Sequence, residues 1–185
     1  VNSTNFGDQE DPSIATLPDG GWVIGWSGTF LPNTREVFFQ RYNADGTPNG
    51  NQTMVTNSTD TELGAKVAVL NTGDFVVSWH EGTISGAEIE ARIYDGNGVP
   101  RGGSFVINDP GANPFQTKQH IAPLADGGFA ASWVGQTTNA PTFYRLFDED
   151  GTPRGPQALA GVSPAYTFNE PTAVLGLAGG GLGVF

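Results

Sequence analysis

One short segment recurs along this chain at an almost fixed interval, and that recurrence restricts the fold more than any other feature. It reads Asp19-Gly20-Gly21-Trp22-Val23-Ile24-Gly25-Trp26, then Thr72-Gly73-Asp74-Phe75-Val76-Val77-Ser78-Trp79, then Asp126-Gly127-Gly128-Phe129-Ala130-Ala131-Ser132-Trp133. A fourth copy begins at Gly179-Gly180-Gly181-Leu182-Gly183-Val184-Phe185. The turn glycines stand at 20, 73, 127 and 180, so the steps are 53, 54 and 53 residues. A constant step of this size is the mark of a repeat architecture.

A second motif keeps the same interval. Tyr42-Asn43-Ala44-Asp45-Gly46-Thr47-Pro48 returns as Tyr94-Asp95-Gly96-Asn97-Gly98-Val99-Pro100 and as Phe147-Asp148-Glu149-Asp150-Gly151-Thr152-Pro153. Asp-Gly and Asn-Gly supply the positive φ of a hairpin turn, and the following Pro restricts its exit. Between the two motifs the patterns are those of strands. Trp22 to Trp26 is nearly continuous in apolar residues, as expected of a strand covered on both faces. Glu88 to Tyr94 alternates instead, with Ile89, Ala91 and Ile93 on one side. A short strand precedes each Gly turn (13–17, 66–70, 119–124), and a fourth follows each Asp-Gly turn. The expected fold is all-β, a β-propeller-like array of four-stranded antiparallel blades, which are units of about 40–50 residues in related architectures.

The repeat divides the chain into 1–10 (the last strand of a preceding repeat), 11–60, 61–113, 114–168 and 169–185 (the first half of a further repeat). The period would place another Trp one position past Phe185. The half-repeat is therefore expected to be completed by polypeptide outside this sequence, either the same chain continuing or another copy of it.

The motifs resemble tandem repeats of large secreted bacterial proteins of the RTX (hemolysin-type calcium-binding) or adhesin-like kind. The resemblance implies an extracellular or cell-surface protein. The sequence departs from RTX proteins in lacking their Gly-Gly-x-Gly-x-Asp nonapeptides, so calcium binding does not follow from it.

Composition narrows the partners. The formal net charge is −11 with 8 Lys and Arg in 185 residues. Little could neutralise phosphates, which excludes nucleic acid as an expected partner. Nothing approaches the apolar length needed to insert in a membrane as a helix. Without cysteine there is neither a disulfide framework nor thiolate chemistry. The 27 glycines and 13 prolines recur at fixed offsets, as turns do.

No metal or cofactor is required by the pattern. Asp148 and Asp150 are the calcium candidates, since spaced carboxylates before Gly151 imitate part of an EF-hand loop. The loop's first and twelfth positions would be Leu146 and Gln157, which supply no carboxylate, so a hairpin turn is the preferred reading. Trp26, Trp79 and Trp133 could stack on sugars, but their constant place at strand ends assigns them to packing between blades. Loops that the repeat does not dictate, Phe30-Leu31-Pro32 and Thr137-Thr138-Asn139, are the better ligand candidates. His80 and His120 occupy different repeat positions and form no recognisable catalytic motif. Glu88 and Glu90 read as a solvated face. The expected function is a non-catalytic repeat segment, a scaffold or adhesion module and not an enzyme, whose partners are further copies, further repeats or glycans. A carbohydrate-binding propeller (lectin) is the alternative, and a propeller-fold glycoside hydrolase a weaker one.

Overall fold

A computed structural model describes residues 7–31, 34–82, 88–109, 116–135, 140–162, 174–176 and 182–184. They form three four-stranded antiparallel sheets and part of a fourth. The first sheet holds β1 (Gln9–Thr16), β2 (Trp22–Leu31), β3 (Thr34–Tyr42) and β4 (Pro48–Met54). The second holds β5 (Glu62–Val69), β6 (Phe75–Glu81), β7 (Ile89–Tyr94) and β8 (Phe105–Val106). The third holds β9 (Gln116–Pro123), β10 (Phe129–Gly135), β11 (Pro141–Phe147) and β12 (Ala158–Val162). Strand order follows the chain in each sheet. β13 (Val174–Gly176) and β14 (Leu182–Val184) pair antiparallel. The turn at Gly180 and the loop 137–139 lie outside the described residues, as do Asn2 and Pro32.

The turns explain the repeat motif. Leu17 N donates to Gly21 O at 2.8 Å, Leu70 N to Asp74 O at 2.7 Å and Leu124 N to Gly128 O at 2.8 Å. Each turn then needs a left-handed residue, and Gly20, Gly73 and Gly127 supply it at φ 85°, 86° and 107°. The strand after the second and third turns is covered on both sides, with all of Phe75–Trp79 and Phe129–Trp133 buried, whereas Trp22 and Ile24 in the first blade are half-buried.

One core lies between the first and second sheets. Leu17, Val23, Val37, Phe39 and Val55 meet Ala65, Val67, Phe75, Val77, Trp79 and Tyr94. A second core joins Leu70, Val76, Ile89, Ala91, Ile93 and Ile107 to Phe129, Ala131, Trp133 and Phe147. The sheets thus stack face to face as blades. Trp79 and Trp133 each face the preceding blade, as their constant position requires. Trp22 is half-buried and stacks on Tyr42 at 5.6 Å.

Polar anchors repeat with the same period. Val37 N donates to Thr56 Oγ1 at 2.9 Å, and Ile89 N to Asn108 Oδ1 at 2.8 Å. Gln40, Arg92 and Arg145 each reach the carbonyl of a glycine ten residues on, Gly50, Gly102 and Gly155. Between blades, β1 neighbours β5 and β5 neighbours β9, so the first strands lie innermost about a common axis. Each begins earlier than alternation predicts, because a bulge interrupts its period of two.

Trp79 is 2% exposed within the first inter-blade core. Trp79→Ala should cost about 3–5 kcal/mol in chemical denaturation. A loss below about 1 kcal/mol would contradict this packing.

Candidate functional site

The bulges fall at one structural position. Pairing slips between Glu10 and Ser13 in β1 and between Leu63 and Lys66 in β5. In β9 it slips between Thr117 and His120, opposite Val134 and Ser132. The slipped residues are Asp11, Gly64 and Lys118, at φ 53°, 69° and 55°. A bulge bends the strand and re-aims a side chain. Glycine accepts this backbone freely, but Asp and Lys hold it at a cost of order 1–3 kcal/mol. Two strained residues at equivalent places on the innermost strands therefore mark a place to look for chemistry.

All three line one cavity of about 320 Å³ at the axis, together with Lys66, His80, Gln119 and His120. Its volume is at the lower end of the range for small-molecule sites, about 300–1,000 Å³. Two other cavities are similar in size, one around Asn49 to Thr53 and one around the Gly73 turn. Neither holds strained non-glycine backbone or a histidine. The axial cavity gathers both lysines and both histidines of the whole sequence.

A relay of hydrogen bonds orients His80. Gln119 Nε2 donates to the Gly64 carbonyl at 2.6 Å, which fixes the amide, because a carbonyl only accepts. Gln119 Oε1 then faces His80 Nδ1 at 3.0 Å, so Nδ1 carries the proton and Nε2 keeps its lone pair. Gly64 is needed for this packing as well as for its φ. A Cβ there would lie 2.6 Å from His80 Cε1. Burial holds the His80 pKa below its usual 6.5, with Lys66 adding to the effect and Gln119 and Asp11 opposing it. Burial likewise lowers His120, again with Lys66 contributing. Both imidazoles are therefore neutral at pH 7. The cavity then carries the positive charges of Lys66 and Lys118 against the carboxylate of Asp11.

A set of carboxyl groups lies at the same end of the second sheet. Glu36 and Glu62 are both buried. Ser58 joins them, its Oγ donating to Glu62 Oε1 at 2.9 Å and its N to Glu36 Oε1 at 3.3 Å. Burial pushes Glu62 up to about 7, and Glu81, Glu90 and Glu36 push the same way against the Ser58 bond. Glu81 is raised by burial, then by Glu90, Asp60 and Glu88. Glu88 and Glu90 are half-buried rather than solvated, since Glu90 pairs with Trp79 at the rim of the core.

Asp148 and Asp150 lie elsewhere, in the exposed turn between β11 and β12. Asp150 Oδ1 accepts from Thr152 N at 2.8 Å, and Asp148 Oδ1 accepts from Arg154 Nε at 2.7 Å. Asp148 N also donates to Thr152 O at 2.8 Å. These bonds build the turn. Among the described residues, no group of three or more His, Asp or Glu is placed to hold a metal ion. Of the proposed ligand loops, Phe30 is 43% exposed and tilts against Phe38 at 6.5 Å.

No family model matches the sequence. No curated protein matches it either. Solved structures do match. An endo-arabinase from Bacteroides thetaiotaomicron superposes with a TM-score of 0.64 at 14% identity, covering 100% of this chain and 72% of its own. A Hadza microbial sialidase gives 0.63 at 11%, covering 90% and 39%. A GH43 β-xylosidase/α-arabinofuranosidase from a compost microbial metagenome gives 0.57 at 14%, covering 84% and 60%. The chain thus spans less than two thirds of the length of two of these three proteins. The likeness establishes the β-propeller fold. It also corrects the expectation of a chain that is not an enzyme, because these neighbours are glycoside hydrolases. That expectation assumed the fold accounted for every regular residue. It overlooked the bulged inner-strand positions Asp11, Gly64 and Lys118, which recur in every blade and line one cavity.

Two predictions follow from the site's energetics. Glu62 binds its proton more tightly folded than unfolded, so the stability it contributes is full below pH 4.5 and lost as pH rises through about 7. Glu62→Gln should therefore stabilise the fold by about 3 kcal/mol at pH 8 and by little at pH 4, read from urea unfolding at both values. Equal effects at both would show that Glu62 is not perturbed. Lys118→Gly removes backbone strain, so it should be neutral or stabilising by about 1 kcal/mol, whereas Gly inside a strand ordinarily weakens it. A loss above 1 kcal/mol would contradict the strain.

Proposed function

We propose that this chain forms part of a carbohydrate-active β-propeller of the glycoside hydrolase type, with the axial cavity as its sugar site. The observation that carries this reading is the pair of strained residues, Asp11 and Lys118, that the inner-strand bulges bring to one cavity. Strain held by the surrounding sheet is a device for presenting functional side chains. Proteins of this fold whose names include arabinase, xylosidase and sialidase support a glycosidic substrate.

Glycoside hydrolysis needs a carboxylate and a protonated acid on either side of the scissile bond. Asp11 is the carboxylate that lines the cavity. In this reading it serves as base or nucleophile. The acid comes from outside the described lining residues. His80, neutral and held through Nδ1, offers Nε2 as an acceptor for a sugar hydroxyl, and Gln119 keeps that face turned to the ligand. The reading places the protein outside the cell, where polymeric glycans are met. The resemblance of its repeats to those of secreted bacterial proteins supports that placement.

Asp11→Asn is the test. Asn tolerates left-handed backbone as Asp does, so the bulge survives the change. Turnover across a panel of chromogenic glycosides and plant polysaccharides should fall by roughly 10²–10⁴-fold. Undiminished turnover would remove Asp11 from the mechanism. Binding without any turnover by the unmodified protein would restrict the cavity to carbohydrate recognition.

A further inference from the structure

The charge of the axial cavity is opposite to that of the molecule around it. The chain carries −11, yet both of its lysines line this one cavity, where Asp11 is the single carboxylate. The arginines are held elsewhere by the fold. Arg35, Arg101, Arg145 and Arg154 form ion pairs with carboxylates, and Arg41 and Arg92 donate to backbone carbonyls. Lys66 forms no ion pair among the described residues.

The repeat shows that these cations are additions to the fold rather than parts of it. Asp11, Gly64 and Lys118 are one structural position in three blades. Ser13, Lys66 and His120 are another, two residues further on. The first blade meets the same backbone demands with an acid and a hydroxyl. Lysine is therefore not required by the packing at either place. At Lys118 it is also held against its backbone preference.

We propose that the axial cavity takes a sugar bearing a carboxylate, with Lys66 and Lys118 binding the acid group. This rests on the reading of the cavity as a sugar site and narrows its substrate class. The two cations come from the second and third blades and Asp11 from the first, so an acidic sugar can place its carboxylate away from Asp11 and turn its ring towards it. A molecule of strongly negative net charge repels acidic ligands unless cations are concentrated where they bind. Charge-assisted hydrogen bonds to a desolvated carboxylate exceed those to a neutral hydroxyl.

The test compares ligands that differ at one group. Binding of D-glucuronate and D-glucose to the intact chain is measured by calorimetry or NMR titration at low salt. Glucuronate should bind roughly tenfold or more tightly, and the preference should shrink as salt is raised. Lys66→Met and Lys118→Met keep the length of the side chain and remove its charge. Each should reduce the preference for glucuronate over glucose, and Lys→Gln at either position serves if a Met variant fails to fold. Equal binding of the two sugars, or a preference unchanged in the variants, overturns the proposal. Acetate bound as tightly as glucuronate also overturns it, because the ring would then contribute nothing. Hydrolysis of neutral glycosides in preference to acidic ones sinks this inference and leaves the proposed function standing. Glucuronate binding with no hydrolysis of any glycoside does the reverse.

Discussion

Every other feature of this molecule depends on burying both faces of each four-stranded sheet against its neighbours. A lone sheet of this length exposes an apolar face on each side, and its second strand has no polar face to offer water. Stacking removes the problem by interleaving rings. Phe39 meets Phe75 and Tyr94 edge-on at 5.1 and 4.8 Å, while Phe105 of the second sheet tilts against Phe129 and Phe147 of the third at 6.4 and 6.0 Å. Such pairs add to the area they bury. Because sheets twist, stacking them face to face turns each about the last, and the first strands converge.

That convergence creates the site. The innermost strands cannot pair with one another through regular ladders, and their outer edges point at the axis. Cross-blade bonds take up part of the exposed backbone. Val67 N donates to Ser13 Oγ at 3.1 Å, and the Gly64 carbonyl accepts from Gln119. The bulges bring Asp11, Gly64 and Lys118 to one cavity. Backbone strain and a desolvated histidine are thus consequences of one geometry, in which three strand beginnings share a small volume, and the lysines are placed into it by sequence.

The same crowding separates charges by place. The two lysines and both imidazoles collect at the axis, and Glu36 and Glu62 are buried at the rim between the first two blades. Glu36 and Glu62 are kept there by Ser58, Thr56 and backbone donors rather than by counter-ions. Burial and like charge then act in the same direction on Glu62. Burial favours the neutral form in both regions, since the axial histidines resist gaining protons and Glu62 and Glu81 at the rim resist losing them.

The blades were legible in the sequence because their causes are local. A glycine at positive φ closes each turn, Asp95 and Asp150 cap their own turns through bonds two residues on, and short, nearly continuous apolar runs bounded by turns fit strands covered on both faces. The reach of those causes is a few residues, so the period and the four strands per unit could be read directly. The site could not be read that way. His80 and His120 lie at different places in their repeats, and only the stacking of the second blade on the third brings them together around Gln119. Asp148 and Asp150, the most conspicuous acidic pair by spacing, sit in a solvated turn. One signal was present in the sequence. Aligned repeats agree at their apolar positions and differ at Asp11, Gly64 and Lys118. That difference acquires meaning only when tertiary structure shows that the three positions face one another.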